Sequence, residues 1–132
     1  MKRILLMLSI LFITCLTLHA QTQPVTDWKT KVLGTWKYLG EEQFGVITEP
    51  DSVNANNSLT LRDDLTFEKK DASIVSTGTY VISEAGKTIT FKDIKTGKSK
   101  MYYLKKSDPD FLIIEFQTPD LIRTRYKYGA TK

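Results

Sequence analysis

From residue 58 onward, apolar side chains recur at every second position in short runs. These are Leu59 and Leu61, then Phe67, Tyr80 with Ile82, Ile89 with Phe91, Tyr102 with Leu104, the trio Leu112, Ile114 and Phe116, and finally Ile122, Thr124, Tyr126 and Tyr128. Alternation of this kind marks strands with one buried face. Turn-forming residues separate the runs: Asp63 and Asp64, Ala85 and Gly86, the stretch 95–98, the stretch 107–109, and the stretch 118–120. An earlier strand over about residues 35–43 places Trp36 and Tyr38 on one face and Thr35, Lys37 and Glu41 on the other. Ahead of it, Asp27 suits the N-cap of a single helical turn over 28–33, with Gly34 as its stop. Trp28 and Leu33 on that turn are placed to close one end of the fold. The stretch 44–57, with Gly45, Pro50, Asp51 and three asparagines, reads as one long loop. Long loops in small domains are usually functional or disordered.

Hairpin pairing tests whether these strands share a buried face, because a slip of one residue turns every side chain to the opposite side. A loop at Ala85 and Gly86 pairs Ile82 with Ile89 and Tyr80 with Phe91. A loop over 95–98 pairs Phe91 with Tyr102 and Ile89 with Leu104. A loop over 107–109 pairs Leu104 with Leu112 and Tyr102 with Ile114. A loop over 118–120 pairs Phe116 with Ile122 and sets Glu115 opposite Arg123, and a loop over 63–65 pairs Leu61 with Phe67. One apolar face thus runs across every turn, with loop lengths common in hairpins. The pattern predicts an all-β fold, an eight-stranded antiparallel up-and-down barrel with a short N-terminal helical turn. Closing the meander removes both exposed sheet edges, which an open sandwich would leave. Eight strands leave an interior that side chains just fill, or that holds one small ligand.

The first twenty residues differ in character. Lys2 and Arg3 precede an apolar run over 4–18, and Ala20 offers a small residue for cleavage. This is the pattern of a secretory signal, and the run is shorter than the ~20 residues a membrane-spanning helix needs. The expected organisation is a signal over 1–20, a flexible leader over 21–26 and one domain over 27–132. The chain is then exported to the periplasm or the extracellular space. A lipid anchor through Cys15 is the alternative, and membrane association is expected only in that case. Thr14 stands where a lipoprotein signal has Gly, Ala or Ser.

Cleavage after Ala20 removes the chain's one cysteine and one histidine, Cys15 and His19. Disulfides are then excluded, and stability must come from packing. With Lys2 and Arg3 gone, seventeen basic residues face fifteen acidic ones. An excess so small, spread along the strands, offers nucleic acid no footprint.

Gly34, Thr35 and Trp36 at the head of the first strand, a long first loop and seven short-hairpin strands together resemble the lipocalin-like (calycin) proteins. The resemblance covers residues 28–128 and is specifically to compact bacterial domains with a signal peptide. It implies that the tryptophan packs at the closed end of the barrel, crossed by an arginine from the last strand. Gly34, Trp36 and Arg125 are the structural set so implied, with Arg123 the other candidate. Both arginines lie on the polar face of that strand, and Arg123 has Glu115 as a cross-strand partner. The intracellular fatty-acid-binding relatives hold a carboxylate with an Arg-x-Tyr pair. The stretch 123–128 contains none, so that site is not carried over.

Without histidine or cysteine, the nucleophile systems that depend on them are absent from the cleaved chain. Zinc would need an all-carboxylate set, histidine-held haem is excluded, and no cofactor is expected. Carboxylate pairs at Glu41 and Glu42, Asp63 and Asp64, and Asp108 and Asp110 read as strand-surface and turn residues. No catalytic or metal residue is assigned. Binding remains. Trp36, Tyr38, Phe67, Tyr80, Phe91, Tyr102, Ile114 and Tyr126 are the expected lining for a small apolar or amphipathic molecule, with the 44–57 loop as a lid. Phe116 and Tyr128 share that face. Inward tyrosines need partners for their hydroxyls, which points to some polar content or to hydroxyls reaching the barrel ends. A filled and a hollow interior stay open. The alternative function is a cell-envelope interaction or inhibitor module contacting partners through Val46, Ile47, Ile74 and Val75. A monomer is expected.

Overall fold

The structure, a computed structural model, describes residues 27–132. The signal segment, the leader and Cys15 lie outside the described residues. Asp27 accepts the Thr30 amide at 3.3 Å and starts α1, Trp28–Lys31. Val32, not Gly34, is its C-cap, so the helix is shorter than the expected 28–33. Val32 is fully buried, and it is Val32 with Trp28 that turns inward, Leu33 being only half-buried.

Nine strands follow: β1 (Gly34–Gln43), β2 (Val46–Thr48), β3 (Ser58–Leu61), β4 (Thr66–Asp71), β5 (Ile74–Ser83), β6 (Thr88–Asp93), β7 (Ser99–Ser107), β8 (Phe111–Gln117) and β9 (Arg123–Ala130). Each of β3 to β9 pairs antiparallel with its neighbour, and β9 returns to β1 from Trp36↔Ala130 to Gln43↔Thr124. Eight strands therefore close into an antiparallel barrel, as the alternation predicts. The loop expected over 44–57 is corrected in part. Phe44 and Gly45, both at positive φ, turn the chain into β2, which pairs with the upper half of β1. The rest is anchored: Asn57 donates to Asp71 at 3.1 Å and accepts the Ala72 amide at 2.7 Å.

Two expected hairpin registers hold, Leu61 with Phe67 and Tyr80 with Phe91. Three are corrected. Phe91 pairs with Lys100, and Tyr102 pairs with Ile89. The turn starts one residue early because Asp93 accepts the amides of Lys95 and Thr96 at 2.8 and 2.7 Å, while Gly97 takes φ +68. Leu104 pairs with Ile114 rather than Leu112, since Asp108 caps the Asp110 and Phe111 amides and a bulge falls between Leu104 and Lys106. Phe116 pairs with Thr124, which brings Arg125, not Arg123, opposite Glu115. Each shift keeps apolar side chains facing inward.

A bulge between Tyr38 and Gly40 matters for the interior. It reverses the alternation, so Glu41 and Gln43 turn inward beyond it. Gly40 has φ +130, and a Cβ there would lie 2.5 Å from the Thr48 carbonyl oxygen, so only glycine fits. The lower half of the barrel is solid: Trp36, Leu61, Tyr80, Ile82, Ile89, Leu104 and Leu112 are buried beside Trp28 and Val32 of α1. Burying each large side chain contributes about 1.5–3 kcal/mol before the cost of ordering the chain. Glu84, in the turn between β5 and β6, accepts the Trp28 and Lys29 amides at 3.4 and 3.2 Å, and Ser107 donates to the Lys31 carbonyl. These contacts make α1 a plug at one end.

Candidate functional site

The end away from α1 is open. A cavity of about 340 Å³ enters the barrel there, lined by Leu59, Phe67, Phe91, Tyr102, Ile114 and Tyr128, with Lys69, Ser76, Asp93 and residues 98–100 around the rim. Beside it lies a smaller space of about 170 Å³, bounded by Tyr38, Glu41, Asn57, Asp71, Tyr126 and again Lys69 and Tyr128. A larger cleft of about 420 Å³ lies at the plugged end around Leu33, Trp36, Pro109 and Thr131. The barrel is thus filled at its base and hollow at its mouth.

Of the eight residues expected to line the interior, Phe67, Phe91, Tyr102 and Ile114 line the main cavity, and Tyr38 and Tyr126 line the adjoining one. Trp36 and Tyr80 do not. The Trp36 indole donates to the Val32 carbonyl at 2.8 Å, and the Tyr80 hydroxyl to the Arg62 carbonyl at 2.7 Å, both in the solid base. Arg125 does not cross Trp36. It sits opposite Glu42 and donates to Glu115 at 2.8 Å on the outer wall, while Trp36 lies opposite Ala130, five residues away along β9.

The cavity floor is a chain of edge-to-face and tilted rings. Phe67 meets Phe91 at 4.9 Å, Phe91 meets Tyr102 at 5.7 Å, and Tyr102 meets Phe116 at 5.7 Å and Tyr126 at 6.1 Å. Tyr38 and Tyr128 form a further pair at 5.8 Å. Such pairs hold their rings in fixed relative poses. Burial pushes the phenols of Tyr102, Tyr126 and Tyr128 above their ordinary pKa, with neighbouring tyrosines and acidic groups adding to it. Tyr38 is pushed up to about 12 by burial first and then by Glu41, to which its hydroxyl donates at 3.3 Å. All four phenols are therefore neutral donors at physiological pH.

The polar rim is the part that sequence reasoning missed. Counting by twos from Phe67 reaches Lys69 and Asp71, and counting back from Tyr102 reaches Lys100, so the alternation itself places them on the inner face. Lys69 pairs with Asp71 at 3.6 Å. The Lys100 ammonium lies 4.0 Å from the Phe116 ring centroid and 5.3 Å from that of Tyr102, close enough for a cation–π contact. Among the described residues, no three His, Cys, Asp or Glu side chains gather in a metal-binding group.

No family model and no curated protein matches this sequence. Among solved structures, a DUF4847 family protein from Bacteroides vulgatus is similar, with a TM-score of 0.55 and 15% identity over 75% of this chain and 93% of that one. At that identity the likeness is one of fold, and it gives the β-barrel a second instance.

Proposed function

We propose that this chain is a carrier, an exported, lipocalin-like barrel that holds a small apolar or amphipathic molecule in its mouth and does no chemistry on it. The observation that carries the reading is the cavity of about 340 Å³ above an aromatic floor. Its size lies at the low end for ligand sites, and its make-up suits one, an apolar lining with a few polar groups at the edge. The plugged base supports the same reading, since α1 closes that end of the interior.

The neutral dye phenylnaphthylamine, which fluoresces in apolar surroundings, tests this directly. The wild type should take it up saturably. Ser76→Phe, which sets a ring into the cavity wall, should weaken uptake by about tenfold or more, equivalent to ~1.4 kcal/mol. Phe91→Leu, a milder change in the floor, should weaken it less. Far-ultraviolet dichroism establishes that both variants fold. A wild type that takes up no dye, or folded variants that bind as the wild type does, would overturn the reading.

A second reading, an interaction module, draws on a different observation. Each hairpin at the mouth end carries an exposed apolar side chain: Phe44 beside Val46 and Ile47, Ile74 with Val75, Ile94, and Leu121. A partner protein meeting those tips would be recovered by cross-linking from the cell envelope.

A further inference from the structure

The rim charges are not balanced. The main cavity is bordered by three cations, Lys69, Lys98 and Lys100, and by one carboxylate, Asp93. Asp93 is committed to its own loop through the Lys95 and Thr96 amides. Lys69 has Asp71, whereas Lys98 and Lys100 form no ion pair among the described residues. Lys100 occupies an inward position of β7 and rests on the Phe116 and Tyr102 rings. Burial, and then the Lys69 cation, draws its pKa below the usual lysine value. An anion at the rim would relieve both effects.

Deeper in the cavity, Tyr128 is only 5% exposed, and its hydroxyl has no hydrogen-bond partner among the described residues. The hydroxyls of Tyr102 and Tyr126 likewise find none. Among the described residues the one fully buried side-chain polar atom without a partner is the Trp28 indole nitrogen, so these hydroxyls keep accessible surface, and they are donors and acceptors left for something inside the mouth. Volume limits what that is. About 340 Å³ equals roughly eleven water molecules at ~30 Å³ each. That suits a compact body of up to three rings. Aromatic walls also attract cations, but Lys100 already covers the Phe116 face, and a second cation would face the lysines.

We infer that the mouth selects a small aromatic anion. Its carboxylate, sulfonate or phosphate faces Lys100 at the rim, its flat body lies on Phe67, Phe91 and Tyr102, and the Tyr128 hydroxyl meets a polar atom of that body. The inference rests on the carrier reading and adds the ligand's charge and size.

Two dyes with the same body separate the two claims, anilinonaphthalenesulfonate and its uncharged parent phenylnaphthylamine. In Lys100→Met the sulfonated dye should bind about tenfold more weakly, the scale of ~1.4 kcal/mol, while the neutral dye stays within about twofold. Lys127→Met removes the same charge from the outer wall, where its ammonium lies 4.7 Å over Phe111, and should change neither. A sulfonated dye indifferent to Lys100→Met, or equally weakened by Lys127→Met, would overturn anion selection and leave the carrier standing. Uptake of neither dye by the wild type would instead remove the carrier reading, and this inference with it.

Discussion

The indole N–H of Trp36 donates to the carbonyl oxygen of Val32 at 2.8 Å, and both residues are buried. Val32 is the C-cap of α1, so this bond ties the plug to the first barrel strand. The second tryptophan at the base behaves differently. Trp28 is equally buried, yet its indole nitrogen has no acceptor among the described residues. Two rings of one kind thus share one apolar end, and only one uses its polar atom.

That contrast can be measured. Trp36→Phe and Trp28→Phe remove the same atoms, and each loses packing by leaving a small void. Only Trp36→Phe also leaves a buried carbonyl without its donor, which costs about 1–3 kcal/mol. In urea unfolding, Trp36→Phe should therefore be the less stable variant by about that difference. Dye uptake at the far end should be unchanged in both. Equal losses would mean that the 2.8 Å bond contributes nothing net.

The alternation of apolar residues makes the barrel legible, because one buried face requires period two and the sequence keeps it through every strand. It also makes the aromatic floor legible, since Phe67, Phe91 and Tyr102 are its central members. Turn chemistry sets the finer register and is harder to see. The Asp93 and Asp108 carboxylates bind backbone amides and shift two hairpins away from the simplest loop, and the bulge after Leu104 has no local signature. β2 is hidden for another reason: its three residues are exposed on both faces, so no pattern separates them from a loop. Lys69 and Lys100 carry the strand period past the last aromatic residue, but a lysine near a turn gives no sign of facing inward until the strand lengths are known.

Glu115 offers a second prediction. It stands on the outer side of β8 yet is only 2% exposed, covered by Arg125 at 2.8 Å and Lys105 at 3.7 Å. Breaking a fully buried pair costs about 3–5 kcal/mol, and the open side of Arg125 lowers that figure here. Arg125→Met should thus destabilise the barrel by about 2 kcal/mol, with Glu115 left to Lys105 alone. Glu115→Leu combined with Arg125→Met should recover most of the loss, since an apolar pair of similar volume often matches an ion pair. Arg123→Met, directly opposite Gln117, should cost less than about 0.5 kcal/mol, as exposed substitutions usually do. A double variant as unstable as Arg125→Met alone would show that the wall depends on the cation's packing rather than on its charge.

The tyrosines give the protein an alkaline limit. Five of the six, Tyr38, Tyr80, Tyr102, Tyr126 and Tyr128, have phenols raised above the ordinary value of 10.0, with burial the largest cause in each. The folded barrel therefore keeps protons that the unfolded chain gives up. By linkage, stability contributed by these groups is fully present below pH 10 and falls as pH rises, for Tyr38 through about 12. Urea midpoints should be flat with respect to these groups up to about pH 9 and should drop steeply beyond about pH 10. In a Tyr103→Phe background only the five report, and their phenolate absorbance should rise together with the loss of strand dichroism. Absorbance complete near pH 10 with the dichroism intact would mean that the phenols ionise inside a folded barrel. The mouth would then be wetter than its ring contacts indicate, and an anion held there would meet phenolates instead of neutral donors.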